Sequence, residues 1–345
     1  MGKAGETEPM GLWSTVLRSW AVRVGLLALS AVIVVLVAML PEGVEVTGEA
    51  AAPGTLGEVR TDATRKYRIE PLQDAGAQFS YTWSAAKYGA GVRNYLVGLF
   101  EGTLTVERWY GTAQSRLPLL PLLRDTWWLS FQLFAVALAA GIAAGLLLGG
   151  LVLGSRGARI FSVGLSILGV SIPDFLLILL GQMLTIWSYR NFGVRLWSVL
   201  GVQGGERGWV LPLLALSIIP MAYTARLIST ALDEAMREDY IRTARAKGVP
   251  EVLVVLKHAM RNALPRALNG MPAMLNVTLS SQLVVEVLTN HYGIGSGLMR
   301  GLSYGQPAVV ASIGLIFCTW FVVMDGLAVT LRALANPLLK GGGTV

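Results

Sequence analysis

Long apolar runs limit which folds this chain can adopt. A helix needs about 20 apolar residues to cross a bilayer, because every backbone N–H and C=O must be satisfied within the segment once water is absent. Six runs reach roughly this length. They lie at residues 22–40, 126–153, 160–187, 209–231, 266–289 and 307–331. The sequence therefore predicts an all-α membrane protein with six transmembrane helices.

The composition agrees with a membrane protein and argues against other classes. Hydrophobic residues make up 54% of the 345 residues and charged residues only 14%, whereas soluble domains carry about 25% charged residues. The net charge of +7 is spread over the flanks of the runs. It forms no basic face with interleaved aromatic residues, so no nucleic acid is predicted as a partner. The single cysteine, Cys318, lies in the sixth run, which excludes an intramolecular disulfide and a multi-thiolate metal site.

Basic residues near the ends of the runs predict the orientation, because short loops rich in Lys and Arg stay on the cytoplasmic side. If six helices alternate, one side receives Arg18, Arg23, Arg156, Arg159, Arg332, Lys340 and the basic region 238–265. Both termini are therefore predicted to be cytoplasmic. The first run could also be a secretory signal. It is long, however, and ends at Pro41 rather than at a small-residue cleavage site, so we predict an uncleaved anchor.

The segment between the first two runs, residues 41–125, is predicted to be extracytoplasmic. Its early part, 41–60, is rich in Gly, Pro and Ala and predicts irregular chain. Its later part, 88–109, carries apolar residues at weak helical spacing and fits a helix that lies on the membrane surface.

Residues 233–265 form a charged stretch between two apolar runs. From Asp233 to Lys247 the acidic residues come first and the basic residues last, an order that complements a helix dipole, and Gly248 suits a left-handed stop. Pro250 then fits a helix start. Apolar residues recur after it at spacings of three and four, which predicts one apolar helix face. They are Val252, Leu253, Leu256, Ala259, Met260, Ala263 and Leu264. The stretch is either a loop that sets topology through its charge or a compact helix–turn–helix knob that fits another protein's groove.

Three stretches of the chain resemble the membrane subunits of ATP-binding-cassette importers, in the branch that handles dipeptides, oligopeptides and nickel. The stretch "DYIRTARAKGVPEVLVVLKHAMRNALP" at 239–265 is similar to that branch's coupling loop. Arg242, Thr243 and Ala244 stand at the loop's triplet and Gly248 at its glycine. "LSILGVSIPDF" at 165–175 and "VVEVLTNHYGIGSGLMRGLSYGQPAVV" at 284–310 are similar to two further family segments. The chain departs from the family where Arg242 replaces a glutamate and where "TNHYGIG" lacks a proline.

The resemblance implies a permease of an ATP-driven importer in a prokaryotic cytoplasmic membrane, with the charged knob docking into an ATPase. It divides the chain into residues 1–40 with the first span, the extracytoplasmic segment 41–125, a permease domain 126–335 with a coupling loop 232–265, and a cytoplasmic tail 336–345. The ATPase-coupling residues that it implies are Asp239, Tyr240, Arg242, Thr243, Ala244, Arg245, Ala246, Lys247 and Gly248.

The same resemblance implies the partners: a second homologous permease subunit, two cytoplasmic ATPase subunits, an extracytoplasmic substrate-binding protein and membrane lipid. The chain contains no G-x-x-x-x-G-K-[ST] phosphate loop, so it is predicted to be no enzyme and to hold no cofactor or metal. ATP and magnesium are expected in the partner subunits. A dipeptide or oligopeptide is the predicted substrate, and nickel chelates, glutathione and sugars are alternatives within the branch.

Ionisable and polar residues inside the runs are candidates for a translocation path. Carboxylates are costly in hydrocarbon and should face a pore, a partner helix or water. A run of polar residues in the fifth span could satisfy the hydrogen-bond donors and acceptors of a peptide backbone. Structural roles stay open, because a carboxylate can bond to neighbouring backbone and Ser or Thr can hold helices together. The predicted path residues are Asp174, Ser281, Gln282, Glu286 and Asp325.

Other classes of function compete with transport. An intramembrane hydrolase needs a nucleophile with a base within reach, but the two histidines, His258 and His291, are predicted to lie on opposite membrane faces. A passive channel and a membrane scaffold stay open as alternatives. Energy-dependent uptake by the purified complex would separate them from an importer.

Overall fold

The structure of the protein is a computed structural model that describes residues 12–48, 79–110, 113–151, 156–198, 202–203 and 206–335. Most of these residues are helical. The helices are α1 Leu12–Ala38, α2 Ala85–Glu101, α3 Leu119–Gly150, α4 Arg156–Ser171, α5 Asp174–Phe192, α6 Val210–Ala235, α7 Asp239–Ala246, α8 Glu251–Leu253, α9 Met260–Ala267, α10 Met271–Leu288, α11 Ile294–Ser303 and α12 Pro307–Ala335. The predicted cytoplasmic tail, 336–345, lies outside the described residues.

Five helical segments of the described chain are long and apolar enough to cross a membrane. They are Val16–Ala38, Leu119–Gly150, Val210–Ala235, Glu251–Leu288 and Pro307–Ala335. The fourth of these is continuous because a π-helical turn, Val254–Ala259, and a 3₁₀ turn, Leu268–Gly270, join α8, α9 and α10. The protein is thus a multi-pass membrane protein. The span predicted at 266–289 belongs to a helical segment that begins much earlier, at Glu251.

The predicted third span, 160–187, is two helices rather than one. α4 and α5 meet at a bend of 101°, and the pair makes a sixth crossing only if both helices belong to one span. The bend falls at Ile172–Pro173. Proline lacks the N–H that would continue the helix and pushes the preceding residue away from helical dihedrals. Asp174 then begins α5 in its first turn, where an acidic residue suits the helix dipole.

Small antiparallel sheets accompany the helices, so the prediction of an all-α chain is wrong in this respect. The pairs are β1 Val44–Gly48 with β2 Phe79–Trp83, β3 Thr105–Tyr110 with β4 Ala113–Pro118, and β5 Val202–Gln203 with β6 Glu206–Arg207. The prediction of irregular chain over 41–60 is wrong at Val44–Gly48, and residues 49–60 lie outside the described part.

α2 forms within the later part of the same segment, and it packs against the spans. Ser84 caps its start by accepting a hydrogen bond from the Lys87 N–H, and Gly102 ends it at a φ of 71°. The Tyr95 hydroxyl is buried and lies 3.0 Å from Ser312 Oγ in α12. Burial raises the pKa of Tyr95, so its hydroxyl keeps its proton and donates to Ser312, whose own proton goes to the Ala308 carbonyl.

The closest helix contact in the fold joins α3 to α6. Gly141, Gly145 and Gly149 repeat every four residues on one face of α3 and are all buried. A Cβ added at Gly141 would lie 2.6 Å from the Ser217 carbonyl oxygen, and one at Gly145 would lie 2.6 Å from the Met221 carbonyl oxygen. Only glycine permits this approach, which is how transmembrane helices gain van der Waals contact when lipid removes the hydrophobic drive between them.

We expect Gly145→Val to destabilise the fold, because the new side chain would collide with the backbone of α6. The matched control is Gly150→Val, in the same helix, where an added Cβ meets nothing within 4 Å among the residues that the structure describes. Thermal unfolding in detergent should show a loss of about 1–3 kcal/mol for Gly145→Val, the usual cost of overpacking, and little change for Gly150→Val. Equal stability of the two variants would contradict the proposed α3–α6 contact.

Candidate functional site

The charged stretch folds into a compact projection at the end of α6. α6 ends at Ala235, a tight turn follows over Met236–Glu238, and α7 runs from Asp239 to Ala246. The prediction of one helix from Asp233 to Lys247 is therefore wrong, because this turn divides it. The predicted stop is confirmed, since Gly248 has a φ of 75°. We call residues 236–259 the knob.

Apolar contacts fix the knob to the bundle. Ile241 and Ala244 of α7 are buried against a cluster that includes Ile228 and Leu232 of α6 and Val254 of the π-helical turn. The cluster continues through Ala259, Ala263 and Ala267. α7 is thus packed on both α6 and the helix that follows the turn, so the knob cannot swing independently of either.

Ion pairs reinforce the same arrangement. Arg245 donates to both carboxylate oxygens of Glu251, at 3.1 and 2.5 Å, and so bridges the Gly248 turn. Arg266 of α9 reaches Glu234 at 3.4 Å and Glu238 at 3.3 Å. These pairs are exposed and individually weak, but the Arg245 pair is bidentate, which fixes its geometry.

Most of the predicted ATPase-coupling residues point away from the bundle. Tyr240 is half-buried and Ala244 is buried within the chain's own cluster, so Ala244 contributes packing rather than outer surface. The exposed ones are Asp239, Arg242, Thr243, Arg245, Ala246, Lys247 and Gly248. Arg242 donates to Asp239 at 3.4 Å, one turn earlier in α7. The outer surface of the knob is therefore charged and predominantly basic.

The helix after Gly248 differs from the predicted amphipathic helix. The sequence places Val252, Leu253, Leu256 and Leu264 on the same apolar face as Ala259 and Ala263, but in the structure these four are exposed while both alanines are buried. The π-helical turn at Val254–Ala259 carries an i→i+5 pattern, which shifts the later residues relative to a regular 3.6-residue period. The knob consequently presents an apolar strip beside its basic surface.

A second polar site lies at the other end of α10, around Glu286. The Glu286 side chain is fully buried. It accepts hydrogen bonds from the Gln282 amide at 2.8 Å and from the Gly295 N–H at 2.7 Å. Ser130 of α3 also donates to it, while the Ser130 hydroxyl oxygen accepts from the Ile294 N–H at 2.8 Å. We call this network the clamp.

The clamp satisfies the backbone N–H groups at the start of α11. The first N–H groups of a helix have no partner within that helix, and Ile294 and Gly295 open α11. Ser130 and Glu286 satisfy both groups, so their oxygen atoms lie at the positive end of the helix. A Cβ at Gly293 would collide with Glu286 and Ser130. The clamp therefore joins α3, α10 and α11 at one point.

The structure places the predicted path residues in different surroundings. Asp325 of α12 accepts a hydrogen bond from Arg23 of α1 at 2.7 Å. Ser281 and Gln282 are buried in the bundle, and the Ser281 hydroxyl has no hydrogen-bond partner among the described residues. Asp174 is half-exposed at the α4–α5 bend. Gln282 and Glu286 lie together in the clamp, and the other three lie apart, so the path assignment stays a prediction.

Two participants in these sites were not predicted from the sequence. Ser130 lies in the middle of an apolar run and gives no signal of its own. Arg23 was noted only as a basic residue flanking the first run, although a positive residue inside a span needs a negative partner. The opposite charges of Arg23 and Asp325 could have suggested the pair.

Comparison with known proteins places the knob and the α10–α11 part of the clamp inside one matched region, while Ser130 of the clamp lies before it. A family model described as "Binding-protein-dependent transport system inner membrane component" matches residues 141–333. The dipeptide transport system permease protein DppB of Bacillus subtilis (strain 168) is 28% identical over 61% of this chain and 67% of its own length. The glutathione transport system permease protein GsiC of Escherichia coli (strain K12) is 31% identical over 62% of this chain and 68% of its own length. A solved inward-facing structure of the MetNI methionine ABC transporter covers 66% of this chain and 99% of its own at 19% identity, with a TM-score of 0.47.

We expect Glu286→Gln to loosen the start of α11. Glutamine supplies one acceptor oxygen, so its own NH₂ must face either the Gln282 amide or the Gly295 N–H. Leaving a buried donor unpaired costs about 1–3 kcal/mol. Amide hydrogen exchange at Ile294 and Gly295 should accelerate by at least roughly fivefold, since 1.4 kcal/mol corresponds to a factor of 10.

The matched control is Asp174→Asn, which also neutralises a carboxylate in an apolar region but lies outside the clamp. Exchange at Ile294 and Gly295 should be unchanged in that variant. If Glu286→Gln left exchange at both amides at the wild-type rate, the clamp would not hold α11.

Proposed function

The chain belongs to the family of binding-protein-dependent transport system inner membrane components, and from this premise we propose that it is the permease subunit of an ATP-driven importer of small peptides. The observation that carries the proposal is the knob, a rigidly packed basic projection within the matched region. The membrane is the cytoplasmic membrane of a prokaryote, with the knob on the cytoplasmic side.

The knob is suited to transmit movement from an ATPase that binds it. It is attached to α6 on one side and to the continuous helical segment Glu251–Leu288 on the other. A displacement of α7 must therefore move both spans, because packed helices shift as units rather than deform. Asp239, Arg242, Thr243, Arg245, Ala246, Lys247 and Gly248 form the proposed contact surface, and Tyr240 and Ala244 support it from behind. The chain supplies the moving spans, and ATP hydrolysis with its magnesium takes place in partner subunits.

Peptides are the substrate class that the comparisons favour. The two relatives are named for a dipeptide and for glutathione, itself a small peptide. The buried and half-buried polar residues of α10 offer hydrogen-bonding groups that suit a peptide backbone, namely the half-buried Asn276 and the buried Thr278, Ser281, Gln282 and Glu286. Nickel chelates and sugars are the less supported alternatives. A passive channel is also less supported, because a channel that conducts without ATP needs no rigid docking surface for an ATPase.

The translocation path follows as a second part of the proposal. Ser281, Gln282 and Glu286 lie along the buried side of α10, so they would line a path only after the bundle opens around that helix. Asp174 is the more accessible carboxylate, at the α4–α5 bend. Asp325 is already paired with Arg23 and would act by holding α1 to α12.

The complete importer is proposed to contain further chains. A second homologous permease would complete the path, two ATPase subunits would bind the two knobs, and a substrate-binding protein would deliver peptide on the opposite face. The segment that includes α2 and the β3–β4 sheet is the part of this chain proposed to receive that protein.

The test is ATP-dependent uptake of a labelled dipeptide into proteoliposomes that contain the assembled complex. Gly248→Trp should lower uptake roughly tenfold or more, the scale of losing a central interface contact. Among the described residues, nothing lies within 4 Å of a Cβ at Gly248, so the tryptophan would project outward into the proposed ATPase contact without a steric clash in this part of the chain.

Two controls separate docking from backbone strain. Gly193→Trp substitutes another exposed glycine with positive φ, 66°, that also has open space, and it should retain uptake. Gly248→Asn keeps a residue that tolerates the left-handed conformation, and it should retain most uptake. Wild-type transport by a correctly inserted Gly248→Trp complex would overturn the coupling role of the knob.

A further inference from the structure

A basic groove lies between α4 and α6, beside the knob. It encloses about 740 Å³, and its wall contains Arg159 and Ile167 of α4, Arg226 and Thr230 of α6, and Arg237 just after α6. Asp233 and Glu234 complete its polar side. The proposed coupling surface on the knob includes none of these residues.

The charges in the groove do not cancel. Asp233 is paired with Arg159, and Glu234 is paired with Arg266, which reaches it from α9. Both carboxylates therefore already have a cation. Arg226 and Arg237 are exposed, and neither guanidinium has an ion-pair partner among the described residues. The groove consequently offers two unsatisfied cations and needs an anion.

The depth of Arg226 makes this need stronger. It lies nine residues before the end of α6 at Ala235, which is about 13 Å along the helix axis. A guanidinium at that depth in a span is costly unless it reaches the interface or meets an anion. Arg237 lies just past the end of the same helix and lines the same groove, so both arginines border the space that an anionic group would occupy.

Apart from Arg159 and the buried Ser166, the α4 wall of the groove is apolar and open. Val163 and Ile167 line it, and their neighbours Ile160, Phe161 and Leu168 are also well exposed. A peptide path would be expected to present polar groups on such a wall, whereas an exposed apolar helix face next to arginines suits a molecule with a charged head and a hydrocarbon tail.

We propose that this groove binds an anionic phospholipid, with the phosphate held by Arg226 and Arg237 and an acyl chain lying along Val163 and Ile167. The Thr230 hydroxyl lies on the α6 wall of the groove, as Arg226 does, and can donate a hydrogen bond to the phosphate. The lipid would lie in the cytoplasmic leaflet, because the knob is proposed to lie on the cytoplasmic side. Lipid binding itself does not require that the protein transports a peptide.

The test measures lipid preference in the assembled complex. The complex is reconstituted in nanodiscs of equimolar phosphatidylcholine and phosphatidylglycerol, and the association of spin-labelled forms of each lipid is compared. Wild type should prefer phosphatidylglycerol. The double variant Arg226→Gln/Arg237→Gln should lower that preference by roughly tenfold or more, given the contribution of each basic residue near an anionic surface.

The matched control removes the same charge elsewhere on the same side of the chain. Lys257→Gln/Arg261→Gln changes two exposed basic residues, one in the π-helical turn that ends the knob and one in α9, and should leave the preference unchanged. Arg226→Lys/Arg237→Lys keeps the charge and should keep much of the preference, provided that thermal unfolding confirms that all variants fold alike.

Three results of the lipid-association measurement would overturn the proposal. They are no preference in wild type, an unchanged preference in the glutamine double variant, and an equal loss in the Lys257/Arg261 control, which would show a general charge effect. If a dipeptide with a free carboxylate displaced phosphatidylglycerol while its amidated form did not, the anion would come from substrate and the lipid assignment would be wrong. Peptide uptake is measured separately, so loss of lipid preference with intact uptake leaves the proposed function standing.

Discussion

The backbone contact between α3 and α6 is the constraint on which the rest of the structure depends. Lipid offers little hydrophobic reward for bringing two apolar helices together, so close packing must supply the attraction. The glycines at 141, 145 and 149 let α3 approach the backbone of α6, and α6 becomes the most buried candidate span. The other contacts of α6 follow from this central position: α4 packs through Gly169 against Ala222, and α7 and α9 pack on its last turns.

One continuous helical segment connects the two polar sites. Glu251–Leu288 begins beside the Gly248 turn, where Arg245 holds Glu251, and ends near the clamp, where Glu286 holds the start of α11. Its 38 residues span roughly 57 Å at the usual helical rise. Under the proposed coupling role, a displacement of the knob would reach α11 through this one segment, because Glu286 of α10 holds the start of α11. This geometry also explains why a costly carboxylate is kept within an apolar helix, since a neutral side chain could not satisfy Gly295, Gln282 and Ser130 together.

The sequence predicted the class, the approximate spans and the knob, but not the features set by tertiary packing. Apolar runs and the order of charges around Gly248 are local signals, and the left-handed glycine is confirmed. The 101° bend between α4 and α5 was signalled only by Pro173, and a proline does not fix the size of a bend, which neighbouring helices decide. The outward turn of Val252, Leu253 and Leu256 depends on a π-helical turn that no spacing rule anticipates. Ser130 could not be recognised, because its role depends on Ile294, 164 residues away in sequence. The surroundings of Asp174 and Asp325 likewise follow from helix neighbours rather than from the residues themselves.

The knob and the basic groove meet just after the end of α6, where Arg237 belongs to both. Asp233 faces the groove through Arg159, whereas Glu234 faces the knob through Arg266, which also holds Glu238 at the start of α7. Asp233 and Glu234, which are adjacent in α6, thus each pair with an arginine of a different neighbouring helix, α4 or α9. An anion between Arg226 and Arg237 would leave these two pairs undisturbed, because it would satisfy the cations that they do not use. In the structure, Arg226 and Arg237 leave both of these pairs intact, so the proposed anion would add a contact beside the knob without changing the arginine–carboxylate links that hold α7 to α6 and α9.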